Sequence, residues 1–565
     1  MNRTLRFAAA LCLLALPASA DVKLPAVFGS HMVLQRGRPV PVWGWADPGE
    51  AVTVAVTGQT QTVKADADGK WAVTLTPLKV GKPLEMTVSG NTGPKKPKGG
   101  DIQLDEDTGA TNTLKLTDIL VGDVWVCSGQ SNMAMSVSRS FNPEKEIAAG
   151  KHPNLRLFSV SRLVSPVPLT DVQGTWAPCS PENVGGFSGT AYFFGRELLK
   201  RLGVPIGLIH TSWGGTPAEA WTDRPFLEAN DDALPILARA LRAQELLPAA
   251  TAEYEKKLIL FKTTVLPKYR EDAKKAKADG KKPPRYPHGP RPPFGPTNPH
   301  YPSGLYNAMV APLVPYAITG AIWYQGESNS SRAYQYRTVF PEMIKSWRAA
   351  WKQGDFPFLF VQLANFRPVV PEPGESNWAE LREAQSMTLA LPNTGQTVII
   401  DVGEAKNIHP KNKQAAGLRL ALAGLKVAHG QDIVHSGPVF ESVKFEGAKA
   451  IVKFTSTGGG LMSKAFADPV EANGPTLEKR FGGVAAPEGA KLVGFAIAGE
   501  DKKFVWADAK IEGATIIVSS PKVAEPVAVR YGWANNPICN LYNKEGLPAS
   551  PFRTDTWPGV TVDAK

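Results

Sequence analysis

The chain has 565 residues, 43% of them hydrophobic, and a formal net charge of +11. That length exceeds what a single hydrophobic core supports, so several domains are expected. Of four cysteines, the three beyond residue 20 (Cys127, Cys179 and Cys539) are too few and too scattered for a disulfide framework, and no CxxC or HxxxH spacing marks a metal site, so no structural zinc is expected.

The basic excess is local. Lys256 to Arg285 holds eleven Lys and Arg against three acids, with Lys95, Lys96 and Lys98 a smaller cluster. Neither forms an aromatic-interleaved binding face or a nucleic-acid motif, so both read as solvated helix and loop. No nucleic-acid partner is expected.

Residues 1–20 read as a signal peptide. Arg3 and Arg6 precede an apolar run from Phe7 to Leu16, and Ala18-Ser19-Ala20 supplies the small-x-small cleavage pattern. The run is shorter than the roughly 20 residues a membrane span needs. Cleavage near Ala20 and a secreted or periplasmic protein without membrane insertion are therefore expected.

Residues 21–117 read as a β-sandwich segment. Val40–Trp45 and Ala51–Val56 are β-branched or alternating, and turns at Asp47-Pro48-Gly49 and Asp66–Lys70 separate them from Trp71–Leu75. Gly90 to Asp107 is rich in Gly, Pro and Lys and reads as an exposed loop.

Residues 118–430 repeat strand, loop and helix, which implies a parallel sheet covered on both faces. The strands are expected at Ile119–Cys127, Pro205–His210, Ile318–Tyr324, Phe358–Leu363 and Thr397–Asp401. Helices are expected at Tyr192–Arg201 and Pro410–Ala428. A basic, proline-rich insertion over about 227–300 carries helical patterns at Leu234–Leu247 and Tyr254–Ala278. It reads either as a lid over the sheet's carboxyl edge or as a decoration. Residues 431–565 return to β, and chain order does not decide whether these strands form a second sandwich or complete the first.

The strand-end loops carry the chemistry. Ser131, in Gly129-Gln130-Ser131-Asn132-Met133, follows a buried strand, where open α/β sheets present reactive groups. Ester hydrolysis at serine also needs a base, a group orienting that base, and donors for the oxyanion. Among the few histidines, only His409 joins a strand-end loop to a rigid successor, Pro410. His210 closes an apolar strand, His288 and His300 lie in the insertion, and His429 follows a helix end.

Four ordered motifs then resemble one family. Gly-Gln-Ser-Asn-Met, Ser-Trp-Gly-Gly-Thr, Ile-Trp-Tyr-Gln-Gly-Glu-Ser-Asn and Ile-His-Pro-Lys-Asn-Lys look like the sialate O-acetylesterases, SGNH hydrolases related to acetylxylan esterases. The resemblance runs from about Leu24 to Pro558 and is strongest from Asp118 to Leu425. It implies an SGNH-type α/β fold with added β domains, Ser131 as nucleophile and His409 as base. It also implies the Gly215 N–H and the Gln325 side-chain amide as oxyanion donors beside Ser131.

The residue orienting His409 stays open. Many SGNH enzymes place an aspartate three residues before the histidine, where this chain has Lys406, and relatives that read Asp-Ile-His-Pro have an acid where this chain has Asn407. The glutamate of Gln-Gly-Glu, here Glu327, ranks first by resemblance to acetylxylan esterases. Asp401, Glu404 and a backbone carbonyl are the alternatives.

The expected activity is a carbohydrate O-acetylesterase acting through an acetyl-serine, on O-acetylated sialic acid or on acetylated xylan and related glycans. Arg224, Arg332 and Arg367 are the arginines considered for a sialate carboxylate. Since His409 must be neutral to act as base, activity is expected to fall below about pH 6. Two rival readings remain. A glycan-binding protein with an inactive hydrolase core is disfavoured by the intact Ser131, Gly215, Gln325 and His409. Polyanion binding through Lys256–Arg285 predicts salt-sensitive affinity that survives Ser131→Ala.

Overall fold

The computed structural model describes residues 21–91, 112–468 and 475–564. The expected signal peptide and most of the Gly90 to Asp107 loop lie outside the described residues.

One strand, β1 (Thr113–Gly129), belongs to two sheets, and its side chains change character to match. Its first residues are partly exposed and pair antiparallel with Leu84–Gly90, which pairs on its other side with Ala51–Val56 in an N-terminal β layer. From Ile119 onward every residue is buried, as suits a strand covered on both faces by helices. There it pairs in parallel with β4 (Ile206–Ser212) on one side and β5 (Gly320–Tyr324) on the other. With β2 (His152–Ser159), β3 (Trp176–Cys179), β6 (Phe358–Val361) and β7 (Thr394–Thr397), the central order is β7-β6-β5-β1-β4-β2-β3. Only β3 runs antiparallel, against β2. From β1 the chain runs to β2 and the edge strand β3, returns to β4 beside β1 and then crosses to β5 on the other side, so the end of β1 is a topological switch point.

After β1 comes the one-turn helix α1 (Ser131–Ala134), and α2 (Gly189–Leu202) follows β3. The insertion contributes α3 (Leu234–Leu260) and α4 (Leu266–Ala278), then α5 (Ala333–Trp351) follows β5 and α6 (Lys413–Val427) closes the α/β portion. Helices α2 and α6 pack closely on one face, where a side chain at Gly417 would strike Phe193 Cβ at 2.5 Å. On the opposite face, Trp323, Phe340 and Trp347 interlock between β5 and α5.

The C-terminal strands pair among themselves. One four-stranded sheet joins Val439–Glu446, Lys449–Thr455, Thr515–Ser519 and Asp508–Glu512, and another is centred on Phe495–Ala498 and Ala528–Tyr531. They enclose their own apolar core, which Val398 and Ile400 enter from the α/β side.

Three local expectations shift. The last parallel strand lies at Thr394–Thr397, not Thr397–Asp401, because Val398 and Ile400 turn into the C-terminal core while Ile399 packs under the sheet. Helix α6 starts at Lys413 rather than Pro410, since the Asn412 side chain accepts from Ala415 N–H and caps it. The insertion is one unbroken helical run from Leu234 to Ala278, joined by a π turn at Phe261–Val265 and about 65 Å long at 1.5 Å per residue. Of α3 only Ile236, Leu237 and Ala240 are buried, so the helix stands out from the body. The proline-rich return lies along it, with Tyr286 edge-on to Tyr269 and the Tyr301 hydroxyl donating to Gln244 at 2.9 Å. Cys127, Cys179 and Cys539 are unpaired and buried.

Candidate active site

Sheet register brings the motif loops together. Gly129 stands level with Ser212 on one neighbour and Tyr324 on the other, so the loops bearing Ser131, Gly215 and Glu327 leave the sheet side by side. Gly129 has φ +137°, and any Cβ there would come within 2.2 Å of the Tyr324 carbonyl oxygen. Only glycine lets the chain turn this close to its neighbour. Gln130 N–H donates to Tyr324 O at 3.0 Å, and Trp213 N–H donates to Gly129 O at 3.1 Å.

Ser131 is therefore the first residue of α1, where backbone donors have no intrahelical acceptor. The Trp213–Gly215 turn lies directly against it, since a Cβ on Gly214 would sit 3.2 Å from Ser131 Cβ. Gly215 follows with φ +78°. Among the described residues, neither the Ser131 N–H nor the Gly215 N–H is used in a backbone hydrogen bond. Two N–H groups without a backbone acceptor thus lie on the two loops that meet at Ser131, and an oxyanion site needs donors of this kind.

The next residue, Asn132, is buried and ties three loops together. Its Nδ2 donates to Glu327 Oε1 at 2.6 Å and to the carbonyl of Ile408, next to His409, at 3.0 Å. Its Oδ1 accepts from Lys413 Nζ at 2.6 Å. Gln130 strengthens the link, its Oε1 accepting from Gly326 and Ser328 N–H at 3.3 and 3.2 Å. Glu327 Oε2 is buried and has no hydrogen-bond partner, which leaves one carboxylate acceptor free in this cluster.

The charges follow from this burial. Desolvation pushes the Glu327 carboxyl up, against the stabilising pull of its own backbone N–H, Asn132 and Lys413. Desolvation pulls the buried Lys413 ammonium down to about 7, with Glu327 and Glu404 opposing. His409 is half-buried and held below the ordinary imidazole value by desolvation, then by Lys413 and Arg139. A depressed histidine is neutral at pH 7, the form a general base needs.

The other acids near His409 have other partners. Asp401 accepts two bonds from Arg419 at 2.6 and 2.7 Å and one from the Tyr542 hydroxyl at 3.3 Å. Glu404 accepts from Lys411 N–H at 3.3 Å. Asn407 grips the main chain of His409 instead of its ring, donating to His409 O at 2.9 Å and accepting from His409 N–H at 3.0 Å. Asn365 Oδ1 accepts from Gly403 N–H at 2.7 Å and anchors the start of the same loop.

Comparison with known proteins places this geometry. The family profile described as "Carbohydrate esterase, sialic acid-specific acetylesterase" matches residues 296–424. The sialate O-acetylesterase of Mus musculus is 29% identical over 474 residues, covering 78% of this chain and 79% of that protein. The Homo sapiens sialate O-acetylesterase is 28% identical, covering 96% and 95%. A solved carbohydrate acetylesterase from Xanthomonas citri is 37% identical, covers 95% of this chain and 100% of its own, and superposes with a TM-score of 0.72. The chain belongs to the sialate O-acetylesterase family. It is an ester hydrolase with the α/β SGNH fold and added β sheets.

In this sialate O-acetylesterase family member, one expected donor does not face the serine. Gln325 is fully buried, with its amide donating to Thr216 O at 3.2 Å and Asn329 Oδ1 at 2.6 Å while its Oε1 accepts from Tyr336. Both amide hydrogens are spent on bracing the Gly215 loop and the turn after Glu327. The arginines considered for a carboxylate also separate. Arg224 pairs with Glu228, Arg367 stacks on Trp378, and Arg332 alone lines the space beside Gly215. Sequence reasoning missed Asn132 and Lys413, although both lie inside the quoted motifs. Lys413 stands four residues after His409 as the first residue of α6, outside any helical register with the histidine, so spacing alone did not mark it.

Proposed function

We propose that this enzyme removes O-acetyl groups from sugars through an acetyl-serine on Ser131, with O-acetylated sialic acid as the sugar its curated relatives suggest. The observation that carries this reading is the Asn132 amide, which joins the residue after Ser131 to Glu327 and to the carbonyl preceding His409. His409 takes the Ser131 proton as Oγ attacks the acetyl carbonyl. The oxyanion is received by the N–H groups of Ser131 and Gly215, each such donor being worth about 3–4 kcal/mol to the transition state. His409 then protonates the departing sugar oxygen as the ester bond breaks. Water, deprotonated by His409, attacks the acetyl-serine and releases acetate.

Glu327, through its free Oε2, is the group we assign to orienting His409. Gln325 takes a supporting role in holding the Gly215 loop. The reading needs no cofactor, and export follows from the leader at residues 1–20. No helix of the described residues is long and apolar enough to cross a membrane.

The test is acetate release from O-acetylated sialic acid and from acetylated xylan, with Ser131→Ala as control. Release from sialic acid that vanishes in the variant supports the reading. Release confined to xylan redirects the substrate to plant glycans, and activity that persists in Ser131→Ala overturns the mechanism.

A further inference from the structure

Beside Gly215 a cavity of about 430 Å³ opens between the α/β body and the root of the insertion, lined by Gly215, Glu219, Arg239, His300, Ser328 and Arg332. It borders the reactive centre. Gly214 abuts Ser131, Ser328 follows Glu327, and a Cβ on Gly215 would lie 4.0 Å from His300 Nε2. A sugar whose acetyl carbonyl reaches Ser131 has its ring in or beside this space.

Two arginines and one carboxylate line the cavity. Glu219 is buried, and both of its oxygens are in use: Oε1 accepts from Arg332 at 2.6 Å and Oε2 accepts from Asn329 at 2.8 Å. Arg332 is further held by Gln335. Arg239, delivered by α3, has no carboxylate partner among the described residues. Arg239 is exposed at the rim of the cavity, and partial desolvation, then the nearby Arg332, disfavours its charge, with Glu219 opposing. The cavity thus holds a positive charge that the protein leaves uncompensated, presented by a planar donor fork whose geometry fits a carboxylate. Phe294, from the same insertion, and Ile236, one turn before Arg239, add an apolar wall for the face of a sugar ring.

We infer that Arg239 is a specificity-determining residue that receives a carboxylate on the acetylated sugar. The insertion then has a role at its root: it supplies the outer wall of the substrate site. This inference rests on the acetylesterase reading of Ser131. The shared ligand chemistry is a carboxylate on the sugar, as in a sialic or a uronic acid.

The experiment compares wild type with Arg239→Gln on O-acetylated sialic acid, an O-acetylated glucuronic acid ester and a neutral acetylated xylo-oligosaccharide. The ratio of kcat/KM for acidic over neutral ester is expected to fall about tenfold in Arg239→Gln, through KM rather than kcat. The acid that loses most identifies the source of the carboxylate. A ratio within about twofold of wild type overturns the assignment. A parallel arm measures binding of free sialic acid and of glucuronic acid to Ser131→Ala protein, with and without Arg239→Gln. It reads the subsite without turnover, so failure of the esterase reading is distinguishable from failure of the subsite. Loss of at least one acid's binding on substituting Arg239 supports the assignment. Equal binding of both acids with and without Arg239, or binding of neither, contradicts it.

Discussion

The two sides of Ser131 are built differently. On the inner side, Asn132 and Lys413 are buried, and Asn132 joins Lys413 to Glu327, which keeps one free buried carboxylate oxygen. On the outer side, one wall belongs to a helix that is mostly solvated, with only Ile236, Leu237 and Ala240 of its residues buried. Buried charged groups are costly to leave unpaired, so removing one partner on the inner side disturbs the rest by about 3–5 kcal/mol. A guanidinium on the outer wall has little to disturb but the ligand. The contrast implies that inner substitutions act on kcat and outer ones on KM.

Several substitutions probe this division, beginning with the strongest. His409→Ala removes the proposed base, and kcat is expected to fall by about four orders of magnitude with KM little changed, as steady-state kinetics would show. Glu327→Gln keeps the shape but removes the acceptor charge. It should lower kcat by about 10²–10⁴-fold, whereas Glu404→Gln should stay within about threefold. Equal effects would move the orienting role away from Glu327.

Lys413→Met tests the electrostatics with a sign. In the proposed mechanism activity requires neutral His409, so it is lost as pH falls through a pKa that burial, Lys413 and Arg139 hold below the usual value. Removing the Lys413 cation lets His409 rise, so the acid limb of kcat/KM should move to higher pH, with kcat down about tenfold. A limb that stays put or moves lower would show that Lys413 does not face the histidine electrostatically. The smallest effect is expected at the far end of the arm. Replacing Lys274, Lys275 and Lys277, all exposed, with Gln should leave kcat/KM on small acetyl esters within about twofold at any salt concentration. A salt-sensitive loss would point to a polyanion-reading function for the basic run.

Much of this arrangement was legible because strand-end position is a local property. A buried run followed by Gly-Gln-Ser-Asn places Ser131 at the edge of a parallel sheet whatever packs around it, and the same holds for Gly215. Side-chain direction is not local. Gln325 occupies the motif position of an oxyanion donor, yet Thr216, Asn329 and Tyr336 claim its amide, and those partners come from other segments. Asn407 replaces an expected acid and turns to the main chain of His409, a choice set by an Asx-type bond that spacing does not reveal. Arg239 was invisible because nothing in a long helix says which of its residues will meet a loop that precedes it in the chain. The N-terminal β layer and the C-terminal β sheets were readable as β. Chain order did not reveal that the first would join the central sheet through Leu84–Gly90 while the second pairs within itself around its own core.

The central claim is that Ser131 carries the acetyl group during turnover. Rapid quenching of the enzyme with an activated acetyl ester, followed by peptide mass spectrometry, reads this directly. An acetyl adduct confined to the peptide containing Ser131, formed and lost at rates compatible with turnover and absent in Ser131→Ala, is the predicted result. Turnover with no adduct on that peptide, or undiminished turnover by Ser131→Ala, would contradict it.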